Sequence, residues 1–168
     1  MSPPLSPQVV QADTTLVTHV RVVVHTLGAA GPNTSDNHWS IYLLHPDGIS
    51  STRINMKAVF DNTTGILEWT RHGYTQTTSA VNHWDFPVAA GVTVLFFARL
   101  LYHLRRDRYQ MSGGGSGCRW WVYTVISDIA QQNYIHHGAH AEIWPHLHYL
   151  YHTVRERRPL RMVQGEFY

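Results

Sequence analysis

The stretch Gly113-Gly114-Gly115-Ser116-Gly117-Cys118-Arg119-Trp120-Trp121-Val122-Tyr123-Thr124-Val125-Ile126-Ser127-Asp128-Ile129 marks where the chain changes its hydrophobic period. From Cys118, apolar side chains recur at Trp121, Val122, Val125, Ile126 and Ile129, the i+3, i+4, i+7, i+8 and i+11 positions. That spacing predicts an amphipathic helix from Cys118 to about Gln132, with the cysteine at its N-terminal end. The glycines let the backbone approach a ligand closely or turn tightly into the helix, and Ser116 is placed to cap it. Upstream, the period is two. Leu16 to Leu27 is dense in β-branched residues and predicts a strand. Asn37 to Leu44 predicts a second, with Trp39, Ile41 and Leu43 alternating against His38, Ser40 and Tyr42. Pro46-Asp47-Gly48 predicts a tight turn, and Ser51 to Val59 the returning strand of a hairpin. Asp61 to Gly65 predicts another turn, then a strand near Ile66 to His72, and Thr75 to Phe86 reads as extended.

Downstream of this half, Val92 to Arg106 predicts a largely buried helix, apolar on most of its circumference. Ala139 to Arg157 predicts helix kinked or restarted at Pro145, and Arg158 to Tyr168 an extended tail. Strands followed by helices predict an α+β domain, a small antiparallel sheet of about five strands with helices packed on it. The Pro- and Ser-rich start, residues 1–12, reads as a disordered tail. That leaves 13–168 as a single domain. Asn-His-Trp occurs at 37–39 and at 82–84, which on sequence grounds is a coincidence.

Composition excludes several function classes. The net charge of +2 is too weak to point to nucleic acid. The arginine clusters at Arg105, Arg106 and Arg108 and at Arg155, Arg157, Arg158 and Arg161 read as solvated helix C-termini, where cations suit the dipole. The longest apolar run, Val92 to Leu101, contains Arg99 and is too short to span a bilayer. The start has no basic, apolar secretory pattern, and a single cysteine cannot form an internal disulfide, so the cytosol is the expected compartment. With only 14% charged residues, the surface would also suit a homodimer. No Lys-Ser/Thr follows the glycines, so a P-loop fails, and Gly-x-Ser-x-Gly fails because Cys118 stands two residues after Ser116. Among 13 histidines, His148 and His152 have an i, i+4 spacing that could hold zinc. Without a His-Glu-x-x-His motif or a second thiol, no metal and no other cofactor is expected.

A thiol at a helix N-terminus feels the positive end of the helix dipole, which favours thiolate. Against this stands the plainer account of Cys118 as the first residue of a buried stripe, since free cysteine often acts as a small core hydrophobe. A cysteine nucleophile needs a base in reach and a group to orient that base. If the apolar helix face packs on the sheet, Cys118 points at the sheet from the helix end. His38, at the start of a strand, is then a candidate base. Position alone does not choose it over His45, His72 or His83.

His38-Trp39-Ser40-Ile41-Tyr42-Leu43 resembles the His-Trp-x-Ile-Tyr strand of the lecithin retinol acyltransferase group, circularly permuted relatives of the papain and NlpC-type cysteine peptidases. There the histidine strand comes first and a helix opening with the cysteine comes later. A tyrosine and short loop precede the cysteine, and an aromatic follows three residues after it, as Tyr109 and Trp121 do here. The permuted deubiquitinase-like (PPPDE) proteins share this layout, and the chain also resembles a small domain of filamentous fungi. The resemblance spans roughly residues 37–130. Two departures stand out. Gly117 occupies the position where those families usually carry asparagine, and the third polar group has only Asn55 as its positional match.

The resemblance implies a permuted papain-like fold with Cys118 as nucleophile, His38 as base and Asn55 orienting the imidazole. The Cys118 N–H and neighbouring loop N–H groups would hold an oxyanion, and Trp39, Tyr42, Gly117, Arg119 and Trp120 would line the substrate site. The expected function is thiol-dependent acyl transfer, as hydrolase or acyltransferase, on a small molecule or amide. The alternative is a non-hydrolytic cyclase or isomerase of fungal natural-product biosynthesis, using the same pocket with His38 as acid/base. A third is a non-catalytic binding module with an inert Cys118.

Overall fold

The computed structural model describes residues 2–26, 37–58, 63–112 and 117–168. The first two residues of the turn expected at 61–65 and the cap expected from Ser116 lie outside those residues. Five strands form one sheet: β1 (His19–Thr26), β2 (Asn37–Leu44), β3 (Ser51–Ala58), β4 (Gly65–His72) and β5 (Ala80–Pro87). Their order is β4-β3-β2-β1-β5, with every neighbouring pair antiparallel. The α+β architecture expected from the change of period is the architecture present.

One sheet face carries Val20, Val22, Val24, Trp39, Ile41, Leu43, Ile54, Met56 and Trp69, all in the main core. Helices α2 (Val94–His103), α3 (Cys118–Gln131) and α4 (Ala139–Ile143) supply most of the opposing side of that core, joined by Val10, Phe86, Tyr109, Leu147 and Tyr151. The buried residues of α3 include Trp121, Val122, Val125, Ile126 and Ile129, the stripe read from the sequence. The other face holds a smaller cluster of Val23, Tyr42 and Leu44, and beside it an array of polar side chains. The Asn-His-Trp repeat is structural: β1 pairs with both β2 and β5, and Trp39 and Trp84 stack at 5.5 Å.

The ladders differ in length. The β1–β2 ladder runs from His19↔Leu44 to Thr26↔Asn37, and the β3–β4 ladder from Ser51↔His72 to Ala58↔Gly65. Between them, β2 pairs with β3 only from Ile41↔Ile54 to Leu44↔Ser51. Residues 37–40 and 55–58 therefore face one another across an open wedge.

Three expectations are corrected. The start of the chain is docked. Leu5 N–H donates to Trp69 O (2.8 Å), and Val10 is fully buried. Helix α1 (Pro7–Val10) is capped by Ser6 Oγ, which accepts from Val9 N–H. Pro7 opens that helix, where the missing N–H costs nothing, so the proline that suggests disorder in fact initiates structure. The long C-terminal helix is also absent. A 3-10 turn, Trp144–His148, follows α4, and the chain then extends as β7 (Tyr149–Tyr151), paired with β8 (Arg157–Pro159). Pro145 cannot continue the α-helical ladder, and His148 and His152 share no helix face. Short β6 (Tyr109–Gln110) pairs with β9 (Glu166–Phe167), which turns the expected tail into a clasp. Among the described residues, no helix is long and apolar enough to cross a membrane.

The docked start makes a stability prediction. Val10→Ala removes fully buried methyl groups, so chemical denaturation should show a loss of about 1–3 kcal/mol. An unchanged unfolding midpoint would mean that this segment is a free tail.

Candidate thiol site

Helix α3 packs on the core face, yet its first residue reaches a histidine on the opposite face, and the wedge makes this possible. His38 and Ser40 alternate on β2 with the core-facing Trp39 and Ile41. Because β3 leaves residues 37–40 unpaired, the tip of α3 meets β2 there. The N–H of Trp39 donates to Cys118 Sγ, and the His38 ring hydrogen-bonds the same sulfur. His38 Nε2 is bonded to Asn55 Oδ1 across the wedge. An amide oxygen only accepts, so Nε2 carries the proton and Nδ1 is the nitrogen left for the sulfur. The structure thus brings Cys118, His38 and Asn55 together in one chain of contacts.

The electrostatics favour charge separation in this pair. Burial pushes the Cys118 thiol up. The bond to His38, the imidazole charge, the Trp39 N–H and the nearby Arg119 outweigh it and hold the thiol below its ordinary value. Burial pushes His38 down, but the bond to Cys118, the thiolate charge and the Asn55 bond raise it above the ordinary imidazole value against the opposing Arg53. Both shifts favour thiolate and imidazolium. His25 sits beside the pair, its ring 6.4 Å from that of His38. Burial, Arg53 and His38 push its pKa down to about 3, so it stays neutral. Its nitrogens bond Ser79 Oγ (3.1 Å) and Ser40 Oγ (2.7 Å).

The backbone ahead of the cysteine is held by its neighbours. Gly117 is the N-cap of α3 with φ 127°, a conformation open to glycine, and a Cβ there would lie 3.0 Å from Tyr109 Oη. Tyr109 Oη donates to Gly117 O (2.8 Å) and accepts from Gly165 N–H (2.8 Å). Burial pushes this phenol up to about 12, with the Gly165 N–H opposing and the Cys118 charge adding, so it remains a neutral hydroxyl. It ties the cysteine's entry turn to the C-terminal segment.

Several residues expected to line the substrate site are placed otherwise. Arg119 is buried, and its guanidinium donates to Leu147 O (2.6 Å), Leu160 O (3.1 Å) and Arg161 O (2.5 Å). It clamps the C-terminal segment, and those bonds occupy the head group. Trp39 is 1% exposed, stacked on Trp84 and edge-on to Tyr151. Tyr42 is fully buried beneath the polar face. Both side chains are packed among described residues and expose almost no surface. Gly117 is buried and its carbonyl is taken by Tyr109. Trp120 is half-buried among Tyr123 and Trp144. Residues 113–116, expected to add oxyanion donors, lie outside the described set.

Sequence reasoning missed the array around the dyad: His25, Ser40, Ser79 and Arg53. The i, i+2 spacing of His38 with Ser40, and of Arg53 with Asn55, was the signal available. Asn37 was missed as well. Its Nδ2 donates to Tyr151 O (2.9 Å) and its Oδ1 accepts from Tyr151 N–H (2.6 Å), pinning β7 to the start of the histidine strand. Among the described residues, no group of three or more His, Cys, Asp or Glu is placed to hold a metal.

Residues 20–168 match the family model described as "Domain of unknown function (DUF7770)", and the chain belongs to that family. No curated protein and no solved structure matches it.

Two outcomes follow from the site geometry. Alkylation by iodoacetamide tracks thiolate, so the Cys118 rate should rise at lower pH than an ordinary thiol and fall as the pH drops through the depressed value. His38→Ala removes the bond and the positive charge but leaves the burial, so its profile should move to higher pH. Identical profiles in the two proteins would separate the imidazole from the sulfur. Tyr109→Phe leaves Gly117 O and Gly165 N–H without their shared partner. It should lower stability by about 1–3 kcal/mol in denaturant titration, with a faster Cys118 alkylation rate as the entry turn loosens.

Proposed function

We propose that this protein is a thiol-dependent acyl-transfer enzyme, a hydrolase or acyltransferase acting on a small molecule or amide, built on a permuted papain-like layout. The observation that carries this reading is the His38 ring, bonded to Cys118 Sγ on one side and to Asn55 Oδ1 on the other. The histidine strand precedes the cysteine helix, as in the families the sequence resembles. A lone thiolate persists in a reducing compartment, for which the cytosol is the natural setting.

The chemistry follows from the proton positions. The Cys118 thiolate attacks the acyl carbon, and the carbonyl π pair moves onto oxygen. Collapse of that tetrahedral adduct breaks the bond to the leaving group, which takes the proton from His38 Nδ1 as it departs. A thioester on Cys118 and a neutral His38 remain. Water or an acceptor hydroxyl or amine then gives its proton to Nδ1 as it attacks the thioester. The second collapse returns the thiolate and the imidazolium. Asn55 keeps Nε2–H engaged throughout, so Nδ1 stays directed at the reacting atoms.

The test is trapping of the intermediate. Incubation with 4-nitrophenyl acetate should leave one acetyl group on Cys118 by intact mass and peptide mapping, and Cys118→Ala should leave none. Asn55→Ala should slow acylation on the order of 10²-fold, as expected when a catalytic group loses its orientation. Turnover of a substrate that survives Cys118→Ala but not His38→Ala would replace this reading with acid/base chemistry at His38.

A further inference from the structure

On the polar face of β3 and β4 lies a cavity of about 580 Å³, lined by Arg53, Lys57, Glu68, Thr70 and His72, together with Ser2. Arg53, Asn55 and Lys57 alternate along β3 and share one face. The cavity therefore begins about 7 Å, two strand residues, from the side chain that orients His38.

The three arginines of the sheet differ in their partners. Arg21 forks onto Asp85 (2.7 and 2.9 Å), and Arg71 pairs with Asp13. Arg53 has no carboxylate among the described residues. Its Nε donates to Ser40 Oγ (3.2 Å), which fixes the plane of the guanidinium, and its two terminal nitrogens have no partner among those residues. Lys57, by contrast, is neutralised by Glu68 at 2.5 Å, which also removes the one lining carboxylate as a repelling charge. His72 leans on hydroxyls, bonded to Thr70 Oγ1 (2.7 Å) and near Ser2 Oγ (3.4 Å). Arg53 and His72 both flank Tyr42, whose buried hydroxyl has no hydrogen-bond partner. A half-buried, oriented, unpaired guanidinium facing a cavity is a complement to an oxyanion.

We propose that this cavity is the anion subsite of the thiol site, in which Arg53 binds a carboxylate or phosphate carried by the acyl substrate. The assignment rests on the acyl-transfer reading and narrows it to substrates with an anionic group several bonds from the reacting carbonyl. The Arg53 fork takes two oxygens of that group. Lys57 and Glu68 remain paired with each other.

The test has a binding arm and a turnover arm. In the first, glutarate or inorganic phosphate is titrated into the whole protein while the His72 ring signals are followed by NMR. A saturable shift is expected, weakened about tenfold by Arg53→Lys, which keeps the charge but loses the fork, and abolished by Arg53→Met. Glutarate binding without phosphate binding would name a carboxylate, and the reverse a phosphate. In the second arm, acylation by the mono-4-nitrophenyl ester of glutarate should exceed acylation by neutral 4-nitrophenyl butyrate about tenfold in the native protein, with the preference lost in Arg53→Lys. Saturable binding with no acylation of Cys118 would sink the thiol reading and leave the anion subsite standing. Acylation of Cys118 with no saturable His72 shift, or with equal binding in Arg53→Lys and the native protein, would overturn the subsite. If Arg53→Met does not fold, as judged by circular dichroism, Arg53→Lys decides alone.

Discussion

Backbone groups removed from water must find partners, and in this sheet one pair of strands stops providing them. The β2–β3 ladder ends at Ile41↔Ile54, so Trp39 N–H needs another acceptor. Cys118 Sγ is that acceptor, delivered by a helix whose apolar stripe anchors it to the far side of the sheet. A full-length ladder would close the wedge and leave His38 and Cys118 on opposite sides of a continuous sheet. The thiol site is therefore a consequence of register. The same gap lets Asn55 reach diagonally to His38.

Placing charges at this junction requires compensation, because an ion pair withdrawn from water is stable only with further hydrogen bonds. The surroundings supply them with neutral groups close in and cations held apart. His25, the nearest imidazole, is kept neutral with a serine hydroxyl on each nitrogen. Arg119 follows the cysteine directly, but its guanidinium is spread over three carbonyls of the C-terminal segment. Its charge still helps the thiolate, while its head group is occupied in holding the fold. Arg53 lies on the other side and opposes protonation of His38. An anion beside Arg53 would offset that opposition, which links the cavity to the protonation state of the dyad.

The alternation in Asn37–Leu44 and the helical stripe from Cys118 were legible because each rests on a single periodicity that burial enforces. The Cys118, His38 and Asn55 constellation was legible only through order and resemblance, since periodicity leaves the choice among histidines open. The docked start was not legible. Leu5 and the Val9-Val10 pair stand in a polar, proline-rich context too short to show a period, and the burial of Val10 depends on the core being in place already. The burial of Trp39 and Tyr42 was hidden for a related reason. A strand buried on both faces carries aromatics as packing, and sequence cannot tell such a strand from one that lines a pocket. The C-terminal turn of direction at Tyr149 was hidden by a helical pattern that Pro145 and the pairing with β8 override.

The departure at Gly117 has a physical origin in this chain. The resemblance leads one to expect asparagine before the cysteine, yet φ is 127° here and the Cβ position is met by Tyr109 Oη. That hydroxyl is fixed from the other side by Gly165 N–H, and a Cβ on Gly165 would in turn strike Gln110 O and the Tyr109 ring. The two glycines are thus faces of one constraint, the close seating of the C-terminal segment against β6. Where the turn into Cys118 is closed by the C-terminal strand through a tyrosine, a side chain at position 165 would clash outright, and one at position 117 would be strained by its φ and crowd the tyrosine hydroxyl. The backbone freedom of Gly117 and the clasp by residues 165–167 therefore belong together, and a side chain at position 117 would press on the hydroxyl that joins them.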